Sequence, residues 1–169
     1  LKHGAISRGD KVKVEIDTER RQSITCNHSA THLLHEALRL VLGDHVEQRG
    51  SMVDGDRFRF DFSHDTSVSA KEIRKVENIV NMEIMRNKKV VTTSMSMEEA
   101  QKKGARALFG EKYGDVVRVV NIGEDFSVEL CGGTHVNRSG EIGLVKVALE
   151  TSVASGIRRI ESCSGAKAT

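Results

Sequence analysis

Two pairs of metal-ligand side chains lie near opposite ends of the chain: His28 and His32 in His28-Ser29-Ala30-Thr31-His32, and Cys131 and His135 in Cys131-Gly132-Gly133-Thr134-His135. Each pair presents zinc-type donors four positions apart. A fold that brings the pairs together must lay the early segment against the late one, and the product is a Cys/His3 site. On a helix, residues four apart are displaced by only ~40° around the axis, so His28 and His32 project from one face, with His35 beside them. A lone HxxxH is more often a solvated or core histidine pair. A zinc-peptidase reading needs Glu directly after the first His, and Ser29 stands there instead. Cys131 and His135 follow a strand ending at Leu130, and Gly132-Gly133 permits a tight turn with positive φ. An ordinary glycine turn with a buried cysteine would not place a second His at ligand spacing. The joint occurrence therefore favours a metal, and imidazole with thiolate favours Zn2+ over the oxygen-seeking Mg2+ and Ca2+. Four protein ligands are one more than an open catalytic zinc requires.

The remainder of the 169 residues is consistent with one domain, or two small subdomains sharing a core, that folds without disulfide staples. The three cysteines, Cys26, Cys131 and Cys163, are an odd number and do not read as a disulfide framework. A reducing, cytoplasmic setting is expected. There is no apolar run of spanning length and no secretory h-region, so no membrane partner is expected. The chain begins with Leu1 rather than Met, which leads us to expect a piece of a longer protein. Net charge is only +2, which does not imply strong non-specific binding to nucleic acid. The basic clusters Arg20-Arg21, Arg86 to Lys89, Lys102-Lys103 and Arg158-Arg159 read first as solvated surface. With no Trp, 5 Phe and 1 Tyr, a base-stacking platform is disfavoured.

Patterning predicts an α+β fold, a mostly antiparallel sheet with a long helix and a metal-bearing helix packed on it. Residues 11–17 alternate and read as a strand after the turn Arg8-Gly9-Asp10. Thr25 to about Leu42 carries a helical apolar face (Leu33, Leu34, Ala37, Leu38, Val41, Leu42), stopped by Gly43. Arg57 to Phe62 alternates as a strand with Phe58, Phe60 and Phe62 on one face. A long helix from Ser69 to about Asn87 opens with a Ser69/Glu72 capping box. A strand over Val90 to Met95 precedes a short helix over Met97 to Lys103. Strands then follow at Val116–Ile122, Phe126–Leu130, Leu144–Leu149 and Gly156–Ser162. On this reading residues 1–24 are the tail of a preceding β subdomain and residues 25–169 a zinc-containing domain.

Several blocks together resemble the editing domain of alanyl-tRNA synthetase, in order and over about residues 11 to 165. They are His28 to His35, Gly43-Asp44-His45-Val46-Glu47-Gln48-Arg49-Gly50-Ser51, Arg57 to His64, Leu108-Phe109-Gly110-Glu111-Lys112-Tyr113-Gly114-Asp115, Glu129 to Val136, and Arg158 to Glu161. Free-standing alanyl-tRNA editing proteins and the threonyl-tRNA synthetase editing domain are related, but the Cys131 and Arg57 blocks fit the alanyl branch better. The resemblance implies a hydrolase that proofreads after transfer, cleaving Ser-tRNA(Ala) and Gly-tRNA(Ala) at the aminoacyl ester. It implies His28, His32, Cys131 and His135 as ligands of Zn2+, and Thr31, Gln48 and Cys131 as candidate catalytic residues. Thr31, Gln48, Gly132 and Gly133 are the candidate substrate-binding residues, the glycine N–H groups serving a developing oxyanion. Without the resemblance, Thr31 would read as a hydroxyl bonded back to its helix and Gln48 as a solvated amide. The implied partners are the acceptor end of tRNA(Ala) and the rest of the synthetase in cis. ATP binding is expected of the full-length ligase alone, because this chain has no room for an aminoacylation core. The alternative is a zinc-stabilised tRNA-binding module with little activity when isolated.

Overall fold

The computed structural model describes residues 4–107 and 113–169. Leu108 to Lys112, part of one block quoted above, lies outside the described residues. The expected α+β class is found, built on antiparallel strands. Helix α1 (Thr18–Leu42) is followed by β1 (Gln48–Val53), β2 (Phe58–Ser63), α2 (Ala70–Met85), β3 (Val90–Ser96) and α3 (Met97–Lys102). Strands β4 (Val116–Ile122), β5 (Ser127–Leu130), β6 (Val145–Ala154) and β7 (Ile157–Ser164) complete the order, with short 3-10 turns at Ser139–Ile142 and Gly165–Ala168. The strands divide into a four-stranded sheet ordered β1-β2-β7-β6 and a three-stranded sheet ordered β3-β4-β5.

The aromatic alternation of β2 is what anchors the core. Phe58, Phe60 and Phe62 are fully buried on the face opposite Arg59 and Asp61, and they meet Leu33, Leu34, Ala37 and Leu38 of α1. Val76, Val80 and Ile84 of α2 join the same cluster, as do Val120 and Ile122 of β4. Strand β4 buries its other face as well, through Val117 and Val119 against Ala100 of α3 and Leu130. Helix α1 therefore lies between the two sheets, and its middle residues contact both sides.

Capping follows the expected chemistry. Ser69 with Glu72 and Ser96 with Glu99 form reciprocal capping boxes, and Gly43 ends α1 at φ 121°, its N–H donating to the Arg39 carbonyl. Two expectations are corrected. Residues 11–17 form no strand: Val12, Val14 and Ile16 are exposed, and among the described residues no strand pairs with them. Alternation specifies a strand only where a sheet edge receives it. Helix α1 begins at Thr18 rather than Thr25, because Asp17 caps it by accepting from the Arg20 N–H at 2.9 Å and its first turns are a polar, exposed extension. Strand β1 was not foreseen, since Gln48-Arg49-Gly50-Ser51-Met52-Val53 has no apolar alternation.

Several of the basic residues flagged in sequence are paired within the fold. Arg158 donates to Glu150, Arg159 forks onto Asp61, Arg86 meets Glu83, and Lys88 meets Glu124. No helix among the described residues is long and apolar enough to cross a membrane.

Candidate metal centre

His28 and His32 occupy successive turns of α1, and Cys131 and His135 lie in the segment that leaves β5. The fold brings all four together: one donor atom from each lies within 4.8 Å of the others. Cys131 Sγ is 3.5 Å from His28 Nε2 and 3.3 Å from His135 Nε2. A tetrahedral ion bound at the usual Zn–S and Zn–N lengths separates sulfur from nitrogen by about 3.5 Å. The cluster has the dimensions of such a site.

The environment also selects which nitrogen of each ring faces inward. Nδ1 of His28 lies 3.3 Å from the Thr134 carbonyl, Nδ1 of His135 lies 3.1 Å from Ser29 Oγ, and Nδ1 of His32 lies 3.0 Å from Glu129 Oε2. The His32 approach is off the hydrogen-bond line, so we treat it as electrostatic. With each Nδ1 held from outside, the Nε2 lone pairs are left for a metal, the arrangement that orients ligating histidines generally. The donor set therefore fits a bound ion.

Charge acts differently on the donors, favouring metal capture at Cys131 and His135 and opposing it at His32. Burial alone would raise the Cys131 thiol, but hydrogen bonds from His135, His28 and His32 override it and bring it down to about 3. At neutral pH the sulfur is a thiolate, the form that binds metal. Burial together with the charges of His32 and His28 lowers His135 to about 4, despite its hydrogen bond to Cys131, so its imidazole is neutral and able to ligate. Burial opposes a charge on His32, yet the Glu129 carboxylate and Cys131 outweigh it and raise His32 to about 10, so His32 gives up a proton when it ligates. Glu129 responds in the opposite direction: burial pushes its carboxyl up, and the His32 charge and the hydrogen bonds pull it far below the usual range.

Other residues hold the ligands in place. His35 is buried and bonds Glu129 Oε1 through Nδ1 at 2.7 Å, so it lies behind the donors and one buried carboxylate links His32 to His35. Arg118 on β4 donates from one nitrogen to the carbonyls of Cys131 and Gly133, both at 2.7 Å, which clamps the loop. Ser29, which excluded the peptidase reading, also accepts from the Val136 N–H at 3.1 Å. The Glu129 link, the Arg118 clamp and the Ser29 contacts were not read from the sequence. For Glu129 there was a signal, a carboxylate at an inward position of an apolar strand.

The glycine turn differs from expectation. Neither Gly132 nor Gly133 has positive φ. Gly133 is needed for space: a Cβ there would lie 2.1 Å from His28 Cε1. Its N–H donates to Cys131 Sγ at 3.4 Å.

A cavity of about 420 Å3 opens beside the donors, lined by His28, Thr31, His32, Gln48, Arg49, Gly50, Ser51, Glu129, Leu130 and Cys131. Thr31 and Gln48 thus face the same space as three of the metal donors, although the Thr31 hydroxyl also bonds back to the Asn27 carbonyl at 2.9 Å. Gly132, Gly133 and His135 are outside its lining. Cys26 and Cys163 are free thiols, each hydrogen-bonded to backbone carbonyls.

Residues 117–161, which include Cys131 and His135, match the family described as the Threonyl and Alanyl tRNA synthetase second additional domain. More specifically, nearly the whole chain is similar to alanine–tRNA ligases. The ligase of Dichelobacter nodosus is 56% identical over 98% of this chain and 19% of the relative. That of Saccharophagus degradans is 56% identical over 98% and 19%, and that of Colwellia psychrerythraea 58% identical over 96% and 18%. The resemblance to alanyl-tRNA synthetase is thereby upheld, for a chain that spans about a fifth of the length of the curated relatives it matches.

Proposed function

We propose that this chain is the editing module of an alanyl-tRNA synthetase, which takes up Zn2+ and hydrolyses the aminoacyl ester of Ser-tRNA(Ala) and Gly-tRNA(Ala). One observation carries the reading: a four-donor Cys/His3 cluster sits at the wall of a cavity that Thr31 and Gln48 also line. The physical need supports it. An alanine pocket cannot strongly reject the smaller glycine, and serine adds only a hydroxyl, so packing discriminates weakly and a second, hydrolytic site is required.

His28, His32, Cys131 and His135 would hold the ion, and when bound Zn2+ would supply positive charge and Lewis acidity beside the ester. The chain's own groups orient the substrate. The Thr31 hydroxyl gives its proton to Asn27 and so offers lone pairs to the serine hydroxyl or the α-amino group. The Gln48 amide supplies both a donor and an acceptor across the cavity. Cys131 acts as a thiolate ligand rather than as the attacking group. Of the two glycine N–H groups, that of Gly133 is directed at sulfur, so in this proposal the Gly132 N–H serves the developing oxyanion. The acceptor end of tRNA(Ala) is the substrate-bearing partner and the rest of the synthetase acts in cis, in the cytoplasm. The division into a tail, residues 1–24, and an editing domain, residues 25–169, belongs to the same proposal, with α1 running across the boundary.

Ser-tRNA(Ala) deacylation, measured together with zinc content, tests the reading. The zinc-loaded chain should release serine, and Cys131→Ser and His32→Ala should lose both zinc and hydrolysis. Hydrolysis that survives loss of the metal would reject a catalytic use for it. A zinc-loaded chain that binds tRNA without hydrolysing the ester would instead support the binding-module alternative.

A further inference from the structure

Strand β1 carries a register skip at the point where it passes the metal centre. Gln48 pairs with Phe62 and Gly50 with Asp61, which leaves Arg49 as the extra residue of a β-bulge. Bulges of this kind re-aim side chains and recur beside active sites. The opposite face of the sheet holds the skip in place. Asp61 is buried and bonded in a fork by Arg159 at 2.7 and 2.8 Å, and a Cβ on Gly50 would lie 3.2 Å from Asp61 Oδ2. Only a residue without a side chain passes that carboxylate comfortably, so Gly50 is committed to the Asp61 side. As a result Gln48, Arg49, Gly50 and Ser51 all border the metal-site cavity.

Among the described residues that line this cavity, Arg49 carries the only guanidinium or ammonium. It forms an ion pair with Glu47 at 3.0 Å, and the two side chains are 30% and 56% exposed. A pair so open to water contributes little to stability. A guanidinium at the mouth of a metal-ester site is suited to a phosphate oxygen, which it can bind in a bidentate manner.

The geometry points to Arg49 as a substrate-binding residue that grips the phosphodiester of the terminal nucleotide, while the aminoacyl ester lies against the metal donors. This rests on the editing reading and deepens it: the site takes a nucleotide ester, and Arg49 reads the phosphate.

The test uses two stable ligands, the 3′-seryl amide of adenosine and the same amide of adenosine 5′-monophosphate, titrated calorimetrically into the zinc-loaded chain. The phosphorylated ligand should bind about tenfold more tightly, the gain of one charge-assisted contact. Arg49→Ala should bring that ratio close to one, and Arg49→Lys should retain part of it. The salt dependence of binding the phosphorylated ligand should be weaker in Arg49→Ala than in the parent chain. An unchanged ratio in Arg49→Ala overturns the proposal. So does equal weakening of both ligands, which would give Arg49 a role in the amino-acid pocket or in folding. Deacylation of Ser-tRNA(Ala) run alongside separates the two claims. Phosphate discrimination without deacylation removes the editing reading and keeps Arg49 as a phosphate contact. Deacylation without phosphate discrimination removes the Arg49 role alone.

Discussion

Gly133 shows how narrow the tolerance of the site is. Its backbone is one that any residue could adopt, yet a single methyl group there would lie 2.1 Å from the ring of His28. Gly133→Ala should therefore displace His28 as a ligand and weaken zinc binding at least tenfold, as read by competition with a chromophoric chelator. Between chelator-treated proteins the substitution itself should cost comparatively little stability, because His28 is only partly buried. Titration of the same cluster sets the pH response of the metal-stripped chain. Cys131 falls from its ordinary 9.0 to about 3, and His135 from 6.5 to about 4, so from pH 4 to 6.5 the unfolded chain binds more protons than the folded one. Stability must rise with pH across that window. His32, raised from 6.5 to about 10, has the opposite sign, since the folded state keeps a proton that the unfolded state loses. Its effect offsets that of Cys131 between pH 6.5 and 9, and stability falls as His32 deprotonates near pH 10. Thermal melts of the chelator-treated chain at pH 4, 5, 6.5, 8 and 10 should rise, level off and then decline.

The elements differ in how openly the sequence announced them. Helix α2 was legible because local chemistry and apolar periodicity agree: the Ser69/Glu72 box forms in both directions, and Val76, Val80 and Ile84 are buried. Ser69→Ala should cost about 1 kcal/mol in urea denaturation, with the slope of the transition unchanged. Strand β2 was legible for the same kind of reason, its three phenylalanines marking one buried face. The failures have a common cause. Residues 11–17 alternate but find no sheet edge, and β1 finds an edge beside β2 without alternating. Strand formation needs a partner, which a local pattern does not supply. The first turns of α1 were hidden because an exposed polar helix has no apolar stripe to display; its cap at Asp17 was the available signal.

At the scale of the molecule, an ion held by the four donors would cross-link α1 to the segment leaving β5, and so tie α1 to the three-stranded sheet. Metal binding to the native state alone adds about 2.7 kcal/mol at a free concentration a hundredfold above Kd. Chelation should lower the melting temperature, and hydrogen exchange should increase first in β4, β5 and the Cys131–His135 loop while β2 and β7 stay protected. Uniform loss of protection would instead mean that the ion supports the whole core. The residue types and spacings by themselves determined the candidate donor set, the capped helix α2, the apolar body of α1, the β2 face and the kinship with alanyl-tRNA synthetase, because these are written in short-range periodicity and motif. Tertiary structure alone decided the two-sheet division, the Glu129 bridge from His32 to His35, the Arg118 clamp and the bulge at Arg49. Each of those depends on side chains far apart in sequence meeting in a low-dielectric or tightly packed space, where burial and distance, not composition, set the interaction.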